Sequence, residues 1–323
     1  MTTYKEIKGK TIQSLASDIA NATGEGEIWF NTASSDFKTI IKYPGAWATG
    51  NNLTTGRGNL GGAGTQTAAL ASGGGPPEVD LSEEYDGTNW TEGSNLNDAR
   101  RSFGSAGTQT AGIDFSGWNG SANSPKTETY NGASWTEVAD VNTARREGTG
   151  CGTTTATLMI DGQVTASTTT CETYNGTSWT ESAVTNTARS EDPGGFGIDT
   201  AAIVAGGTIT TATDKAESYD GSTWTEINNT NAPRTNMGAA GVQSAGMIFG
   251  NSPVGTGQTE FFDGTSWTEV ADLNTGRTSP GGAGTVVAGL AFGGDTSSNA
   301  TEAWDWATTA TPPGAQNVKI ITD

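Results

Sequence analysis

Tyrosine, phenylalanine and tryptophan recur along the chain at fixed distances, with short polar segments between them. A tyrosine or phenylalanine stands five residues before a tryptophan, as in Y-D-G-T-N-W-T-E from Tyr85 and F-D-G-T-S-W-T-E from Phe262. Runs of small and apolar residues come before each such pair, for example G-G-A-G-T-Q-T-A from Gly61. Short apolar runs bounded by glycine-rich and Asn-Gly or Asp-Gly turns predict β-strands joined by tight hairpins.

Each repeat contains four such segments. The first is the Gly/Ala-rich run, and a turn around Thr-Gln-Thr leads to the second, such as A-A-L-A-S-G-G from Ala68. The third carries Glu-x-Tyr, and the fourth begins at the tryptophan. The tryptophans from Trp90 to Trp267 are 43 to 45 residues apart, and four short strands in a unit of about 44 residues are typical of a propeller blade. The sequence therefore predicts an all-β, six-bladed β-propeller.

Three positions repeat together with the strand pattern. An arginine follows each tryptophan by ten residues, and a glutamate precedes each third-strand aromatic residue by two. The repeated residues are Trp47, Trp90, Trp135, Trp179, Trp224 and Trp267, then Arg57, Arg100, Arg145, Arg189, Arg234 and Arg277, then Glu83, Glu128, Glu172, Glu217, Glu260 and Glu302. Repetition in every blade favours packing of the tryptophans between blades and ion pairing of the charges, over sugar-stacking platforms or a ligand-binding ring.

The two ends of the chain complete each other. Arg277 opens a sixth unit that reaches Trp304 at the tyrosine position, but no further tryptophan with an arginine ten residues later follows it. That missing piece stands at the other end, where Trp47 precedes Arg57. We therefore expect the stretch near Trp47 to supply the outer strand of the last blade. The predicted divisions are an attachment segment over 1–42, the propeller over 43–306 and a tail strand over 307–323.

The residues before the repeats follow a different pattern. Apolar residues at helical spacing in T-I-Q-S-L-A-S-D-I-A predict a short helix over 11–20. A pair of strands is expected at 28–30 and 37–41, and the tail 316–323 is a candidate for a further strand beside them. The apolar face of this segment needs a partner, which is the propeller, a second protomer or an attachment site on a larger assembly.

Composition narrows the classes of function. The net charge of −19 opposes binding to nucleic acid and to anionic membranes. No segment approaches the roughly 18 apolar residues of a membrane-spanning helix, and no secretory signal is expected from the first ten residues. The two cysteines, Cys151 on a first strand and Cys171 on a third, are expected to be separated by a second strand and to form no disulfide. The chain has no histidine, the commonest general base and zinc ligand.

The order Arg, Gly-Gly, Glu-x-Tyr, Trp resembles the kelch repeat, which implies a β-propeller. The resemblance covers about residues 43–306, and the double glycine is clear at Gly73-Gly74, Gly206-Gly207 and Gly293-Gly294. It is lost in the other three units, at Phe115-Ser116-Gly117, Ile160-Asp161-Gly162 and Phe249-Gly250-Asn251. The fourth unit also carries an extra residue near Pro193.

The repeats are also similar to a narrower group. The phrases T-S-W-T-E, L-N-T-x-R and A-G-T-Q-T-A resemble the kelch-like repeats of tailed-phage virion proteins, particularly those of marine phages. The segment G-E-I-W-F-N-T-A-S-S-D-F-K-T-I-I-K, from Gly26 to Lys42, is similar to segments of phage tail-fibre and appendage proteins.

The resemblance implies a non-enzymatic virion structural protein, either a tail-fibre or appendage component or a capsid-bound knob. Docking to other virion proteins would use the N-terminal region at Ile28, Trp29 and Phe30, and the propeller would contact a host-surface glycan or protein. Such a protein would be located on the virion, as a homo-oligomer or in multiple copies, without a cofactor.

Each enzymatic alternative requires particular residue types. Kelch propellers include galactose oxidase, which implies a copper site with two histidines, so the absence of histidine excludes that activity. Calcium binding by Asp86, Asp220 and Asp263 is not expected, because they are hairpin-turn residues outside any Asp-x-Asp-x-Asp-Gly spacing. A carboxylate-based glycan hydrolase stays open by residue type, since Asp and Glu number 35.

A stand-alone glycan- or protein-binding propeller is the principal alternative to a virion protein. The most distinctive loop of the chain is S-G-W-N-G-S-A-N-S-P-K, and its Trp118 and Asn119 are candidates for surface contact. No metal site is expected.

Overall fold

The computed structural model describes two compact units of the chain. They comprise residues 1–44 with 306–323, and residues 45–305. Backbone and side chains are described for 45–251, 257–295 and 298–306, and the backbone alone for 13–15, 28–31, 36–39 and 316–317.

The larger unit is a six-bladed β-propeller, which confirms the predicted fold class. Its six sheets each contain four antiparallel strands. In chain order the strands are β4 (Ala46–Thr49), β5 (Gly61–Thr65), β6 (Ala68–Ser72), β7 (Ser82–Tyr85), β8 (Trp90–Glu92), β9 (Gly104–Thr108), β10 (Ala111–Phe115), β11 (Thr127–Tyr130), β12 (Trp135–Val138), β13 (Thr149–Thr153), β14 (Ala156–Ile160), β15 (Cys171–Tyr174), β16 (Trp179–Glu181), β17 (Gly194–Ile198), β18 (Ala201–Ala205), β19 (Ala216–Tyr219), β20 (Trp224–Ile227), β21 (Gly238–Val242), β22 (Ala245–Phe249), β23 (Thr259–Phe262), β24 (Trp267–Glu269), β25 (Gly281–Thr285), β26 (Ala288–Phe292) and β27 (Thr301–Asp305).

The sixth blade contains strands from both ends of the propeller. Its order is β25-β26-β27-β4, and Trp304 of β27 is paired with Trp47 of β4. The edge that β27 would otherwise expose is therefore covered. This arrangement is the closure that the sequence predicted.

Small residues on the innermost strands allow neighbouring blades to approach closely around the axis. A Cβ atom at Gly62 would lie 2.6 Å from the carbonyl oxygen of Gly282, and one at Gly282 would lie 2.4 Å from that of Ala239. Side chains are excluded there because the backbones of adjacent first strands are nearly in contact.

A ring of backbone hydrogen bonds links all six blades just before their first strands. Each amide in the ring donates to the carbonyl of the blade before it, as Ser102 does to Asn59 at 2.9 Å. The participating residues are Asn59, Ser102, Glu147, Glu191, Asp192, Asn236 and Ser279. All of them have positive φ, between 47° and 59°. The fourth blade uses two residues, Glu191 as acceptor and Asp192 as donor, and so accommodates the extra residue near Pro193.

The smaller unit contains a sheet of four strands in the order β1-β2-β3-β28. These strands are β1 (Gln13–Leu15), β2 (Ile28–Asn31), β3 (Asp36–Thr39) and β28 (Gln316–Asn317). Strand β1 pairs in parallel with β2, and β3 pairs antiparallel with both β2 and β28.

The predicted helix over 11–20 is wrong at Gln13–Leu15, which forms β1. Non-local pairing with Ile28–Asn31 satisfies the backbone of these residues and overrides the helical spacing of the apolar side chains. The other positions of the predicted helix lie outside the described residues.

Two further expectations concern the cysteines and membrane crossing. Cys151 on β13 and Cys171 on β15 are buried free thiols separated by β14, as expected. In the part of the chain that is described, no helix has the length and apolar character to cross a membrane.

Candidate functional site

The repeated tryptophans pack between blades. All six are buried, with 5–7% of their surface exposed. Trp90 of the first blade donates its indole N–H to the Thr301 hydroxyl of the sixth at 2.9 Å, and its ring lies 4.9 Å from that of Phe292. Where the preceding blade has Cys171 or Ala216 in place of a third-strand hydroxyl, the indole donates to a backbone carbonyl instead. The tryptophans therefore hold blades together and do not offer open platforms.

The repeated charges form six buried ion pairs within blades. Each arginine precedes the first strand of its blade and contacts the glutamate on the third strand. The pairs are Arg57–Glu83, Arg100–Glu128, Arg145–Glu172, Arg189–Glu217, Arg234–Glu260 and Arg277–Glu302. Because these groups are 0–2% exposed, they cannot line a ligand-binding ring.

The hairpin aspartates shape their own turns. Asp220 accepts hydrogen bonds from the backbone amides of Thr223 and Ser222, at 2.8 and 2.9 Å. These bonds, that of Thr223 first, lower the pKa of Asp220 to about 2. Asp86 and Asp263 accept equivalent backbone bonds. Among the residues described, no three acidic or cysteine side chains are grouped as metal ligands would be.

Residues from the segments just before β5, β9 and β13 converge beside the loop that follows β10. They line a cleft of about 290 Å³, the Trp118 cleft, formed by Asn59, Arg101, Ser102, Trp118, Arg146 and Glu147. The backbone of Trp118 exchanges two hydrogen bonds with that of Arg101, at 2.9 and 3.0 Å. Its half-buried indole ring lies under the guanidinium group of Arg146, 4.8 Å from the ring centroid.

The two residues predicted for surface contact have different positions. Trp118 lines the cleft, whereas Asn119 is fully exposed at the tip of the loop. The Asn119 side-chain oxygen accepts hydrogen bonds from the backbone amides of Ser121 and Ala122, at 3.1 and 3.0 Å. Asn119 therefore stabilises the turn that carries Trp118.

Arg146 is fixed by three polar partners. Its Nε atom contacts Glu147 at 3.0 Å, and its terminal nitrogens donate to Asn123 at 3.1 Å and to Gln163 at 2.5 Å. These partners come from the second blade, the third blade and the linker between them. Arg146 is therefore held in place over the indole ring of Trp118.

The side chain of Arg101 has nitrogen atoms that are available as hydrogen-bond donors. Its Nε atom pairs with Glu78 at 3.0 Å, and 30% of its side chain is exposed. Its two terminal nitrogens have no hydrogen-bond partner in the described part of the chain. The sequence signal for this site is the doubled arginine at 100–101 and 145–146, where the first residue belongs to the repeat and the second does not. The repeat pattern does not single out these second arginines.

An acidic group lies at the mouth of the central channel, beside the hydrogen-bond ring. Asp192 reaches solvent in part but is densely surrounded, and this desolvation, followed by the charge of Glu147, raises its pKa to about 7. The cavity there has a volume of about 100 Å³ and is lined mainly by backbone of the first strands. The site has room for a few water molecules.

A wider groove of about 550 Å³ lies between the third and fourth blades. At three other boundaries a glutamine closes this position, as Gln109 does by donating to the Tyr85 carbonyl oxygen at 2.6 Å. Asp199 stands there in the fourth blade and has no proton to donate when ionised. The groove is therefore a gap in a repeated contact.

One prediction from the sequence concerns residues whose side chains are not described. Ile28, Trp29 and Phe30, the predicted docking residues, lie on β2, of which only the backbone is described.

Comparison with known proteins adds no relative. The chain matches no protein-family model, and no curated protein matches it significantly.

Proposed function

We propose that this chain is a non-enzymatic structural protein of a tailed-phage virion, either a tail-fibre or appendage component or a capsid-bound knob. The N-terminal region attaches it to other virion proteins. The propeller contacts the host surface or a partner protein.

A scaffold-and-contact role is supported by a difference between two sets of residues, the buried residues of the repeat and the non-repeated residues of the Trp118 cleft. All six repeated Arg–Glu pairs are buried inside blades, and the repeated tryptophans are buried between them. Trp118, Arg101 and Arg146, which do not belong to the repeat, are partly exposed and line the Trp118 cleft. Such a division is typical of a rigid scaffold with a contact site grafted onto its loops.

The virion location rests on the sequence. The segment from Gly26 to Lys42 resembles those of phage tail-fibre and appendage proteins, and the repeat phrases resemble kelch-like virion repeats. Residues from both ends of the chain meet in the smaller unit, at β3 and β28, which supports a separate attachment unit.

A stand-alone glycan- or protein-binding propeller is the second candidate. The same Trp118 cleft favours it, because the cleft needs no virion partner to be formed. A glycan hydrolase is the third by residue type, since Asp and Glu number 35. Turnover of a polysaccharide that is lost on mutating one acidic pair would favour it.

Localisation tests the first proposal. Mass spectrometry of purified phage particles should detect the chain, and cryo-electron microscopy should show the propeller on a tail or capsid with residues 1–42 at the contact. Absence of the chain from particles would overturn the virion proposal and leave the stand-alone binding protein as the leading candidate.

A further inference from the structure

We propose that the Trp118 cleft binds a neutral carbohydrate, through one hexose unit with vicinal hydroxyl groups. The inference deepens the proposed contact role of the propeller and rests on it. The placement of cations, the mixture of polar groups in the cleft and the balance of charge around it support this proposal.

The distribution of basic side chains distinguishes the Trp118 cleft from the rest of the propeller. Apart from the six buried repeat arginines, residues 45–305 contain four basic residues, Arg101, Lys126, Arg146 and Lys215. The two lysines lie on exposed blade edges, each paired with a glutamate of its own blade. The two arginines both line the Trp118 cleft, although they come from different blade linkers.

The cleft is amphipathic in the way that a sugar ring is. The part of the Trp118 indole that lines the cleft and is not covered by Arg146 offers an apolar surface for ring C–H groups. The free terminal nitrogens of Arg101 offer donors, and the Glu147 carboxylate and Asn59 amide offer acceptors. A guanidinium group presents parallel N–H donors, which suits two adjacent hydroxyl oxygens.

Charge balance favours a neutral sugar over an acidic one. Arg101 is paired with Glu78 and Arg146 with Glu147, so the positive charges of the cleft are matched. The net charge of −19 also repels polyanions at long range. Two arginines at the cleft likewise oppose binding of a metal cation.

The site is largely preformed. Arg146 is fixed by Glu147, Asn123 and Gln163, and Trp118 is fixed by its backbone pairing with Arg101. Little side-chain order would have to be gained on binding, apart from Arg101, so a small contact area can still give measurable affinity.

An oligosaccharide array tests the inference with the full-length chain. The array carries neutral glucans, mannans and galactans together with uronate- and sulfate-bearing oligosaccharides. We expect binding to one or more neutral glycans. No binding above background, or binding to the acidic glycans alone, would overturn the inference.

Variants then test the location, using the strongest neutral oligosaccharide in titration calorimetry. Trp118→Ala is expected to weaken binding at least tenfold, and Trp118→Tyr, which keeps a ring, less than Trp118→Ala. Arg101→Gln is expected to weaken binding about fivefold to tenfold. Lys215→Gln removes the same charge from an exposed cation elsewhere and should bind as the native chain does. Native affinity in both Trp118→Ala and Arg101→Gln would overturn the proposed site.

The outcomes separate this inference from the virion proposal. A chain found in particles that binds no neutral glycan would overturn only the carbohydrate site. A chain that binds a neutral glycan through Trp118 but is absent from particles would overturn only the virion location.

Discussion

Each buried glutamate of the repeat uses its two carboxylate oxygens for different partners. In the third blade, Oε1 of Glu172 contacts Arg145 at 2.5 Å, and Oε2 accepts the backbone amide of Asn142 at 2.7 Å. The same pattern recurs in four other blades with the asparagine of an Asn-x-x-Arg phrase, three residues before the paired arginine. The phrase therefore has a structural reason, since it places a loop amide and an arginine on one carboxylate.

Neutralising one member of a pair is predicted to be costly. Glu172→Gln leaves Arg145 charged and buried without a counter-ion, so the free energy of unfolding should fall by about 3–5 kcal/mol. Guanidinium chloride unfolding followed by circular dichroism measures the change. Glu181→Gln, on the exposed neighbouring strand of the same blade, should change it by no more than about 0.5 kcal/mol. Equal stability of the two variants would contradict the structural role of the pair.

Asp114 is expected to make the free energy of unfolding of the propeller depend on pH. It is fully buried on β10, neither of its oxygens has a hydrogen-bond partner among the described residues, and burial raises its pKa to about 6. The charge of Arg100, and after it the nearby Ser72 and Ser105 hydroxyls, lower the pKa only in part. The folded state thus binds the proton more tightly than the unfolded chain, whose aspartate has a pKa of about 3.9.

The sign of the pH effect follows from that difference. The stability contributed by protonated Asp114 is present below about pH 3.9 and is lost as the pH rises through about 6. Asp114→Asn removes this loss, so its stability relative to the native chain should rise by up to about 3 kcal/mol between pH 4 and pH 7. Urea unfolding at several pH values measures it.

Asp220→Asn provides a control of opposite sign. The pKa of Asp220 is lowered to about 2, so ionisation of its carboxylate stabilises the folded state. The variant should therefore lose stability relative to the native chain as the pH rises from about 2 to about 4, with little further change up to about pH 7. A pH-independent difference for Asp114→Asn would show that Asp114 is not desolvated.

At the scale of the elements, the outer hairpins depend on one backbone conformation. Gly176, in the Asn-Gly turn between β15 and β16, has a φ of +89°. A Cβ atom there would meet only Thr155, at 3.4 Å, so the space is open and the cost of a side chain is conformational.

Replacing that glycine therefore isolates backbone strain. Gly176→Ala is expected to lower the free energy of unfolding by about 1–2 kcal/mol. Thr177→Ala, in the same exposed turn, should have little effect and serves as the control. The thermal midpoints of both variants give the comparison, and an unchanged midpoint for Gly176→Ala would be inconsistent with this turn.

The repeat made most elements predictable. Strand number, hairpins and blade closure follow from local signals, such as Asn-Gly turns and the spacing from Trp47 to Arg57. These signals are easy to recognise because they recur from blade to blade. Strand β1 could not be predicted, because it forms by pairing with β2. A local sequence pattern does not show which distant residues will pair. The Trp118 cleft was predicted only through Trp118 itself. Its arginines come from separate linkers, and only the ring of blades brings them together.

At the scale of the molecule, the propeller has no terminal blade that can be lost without damage. Strand β27 carries Glu302, the partner of Arg277, and pairs with β4 from the other end of the ring. Removing it leaves a buried arginine unpaired and two strand edges open.

Two truncations separate the roles of the C-terminal residues. Deletion of 300–323 should give insoluble or partly unfolded protein, because it removes β27. Deletion of 307–323, which removes β28 but spares the propeller strands, should keep a cooperative thermal transition. Differential scanning calorimetry and solubility measure both. A soluble, cooperatively melting 300–323 deletion would be incompatible with this closure.

The pairing of β27 with β4 also decides how the propeller responds to force. Asp305 lies opposite Ala46, so the chain enters and leaves the propeller at neighbouring residues on a single blade. A pull applied between the two chain ends would separate these strands one hydrogen bond at a time, which is the weakest way to load a β-pair. A pull on the propeller against an anchor that holds both ends would instead load the two strands side by side in the same direction. The paired strands β4 and β27 would then resist the tension together.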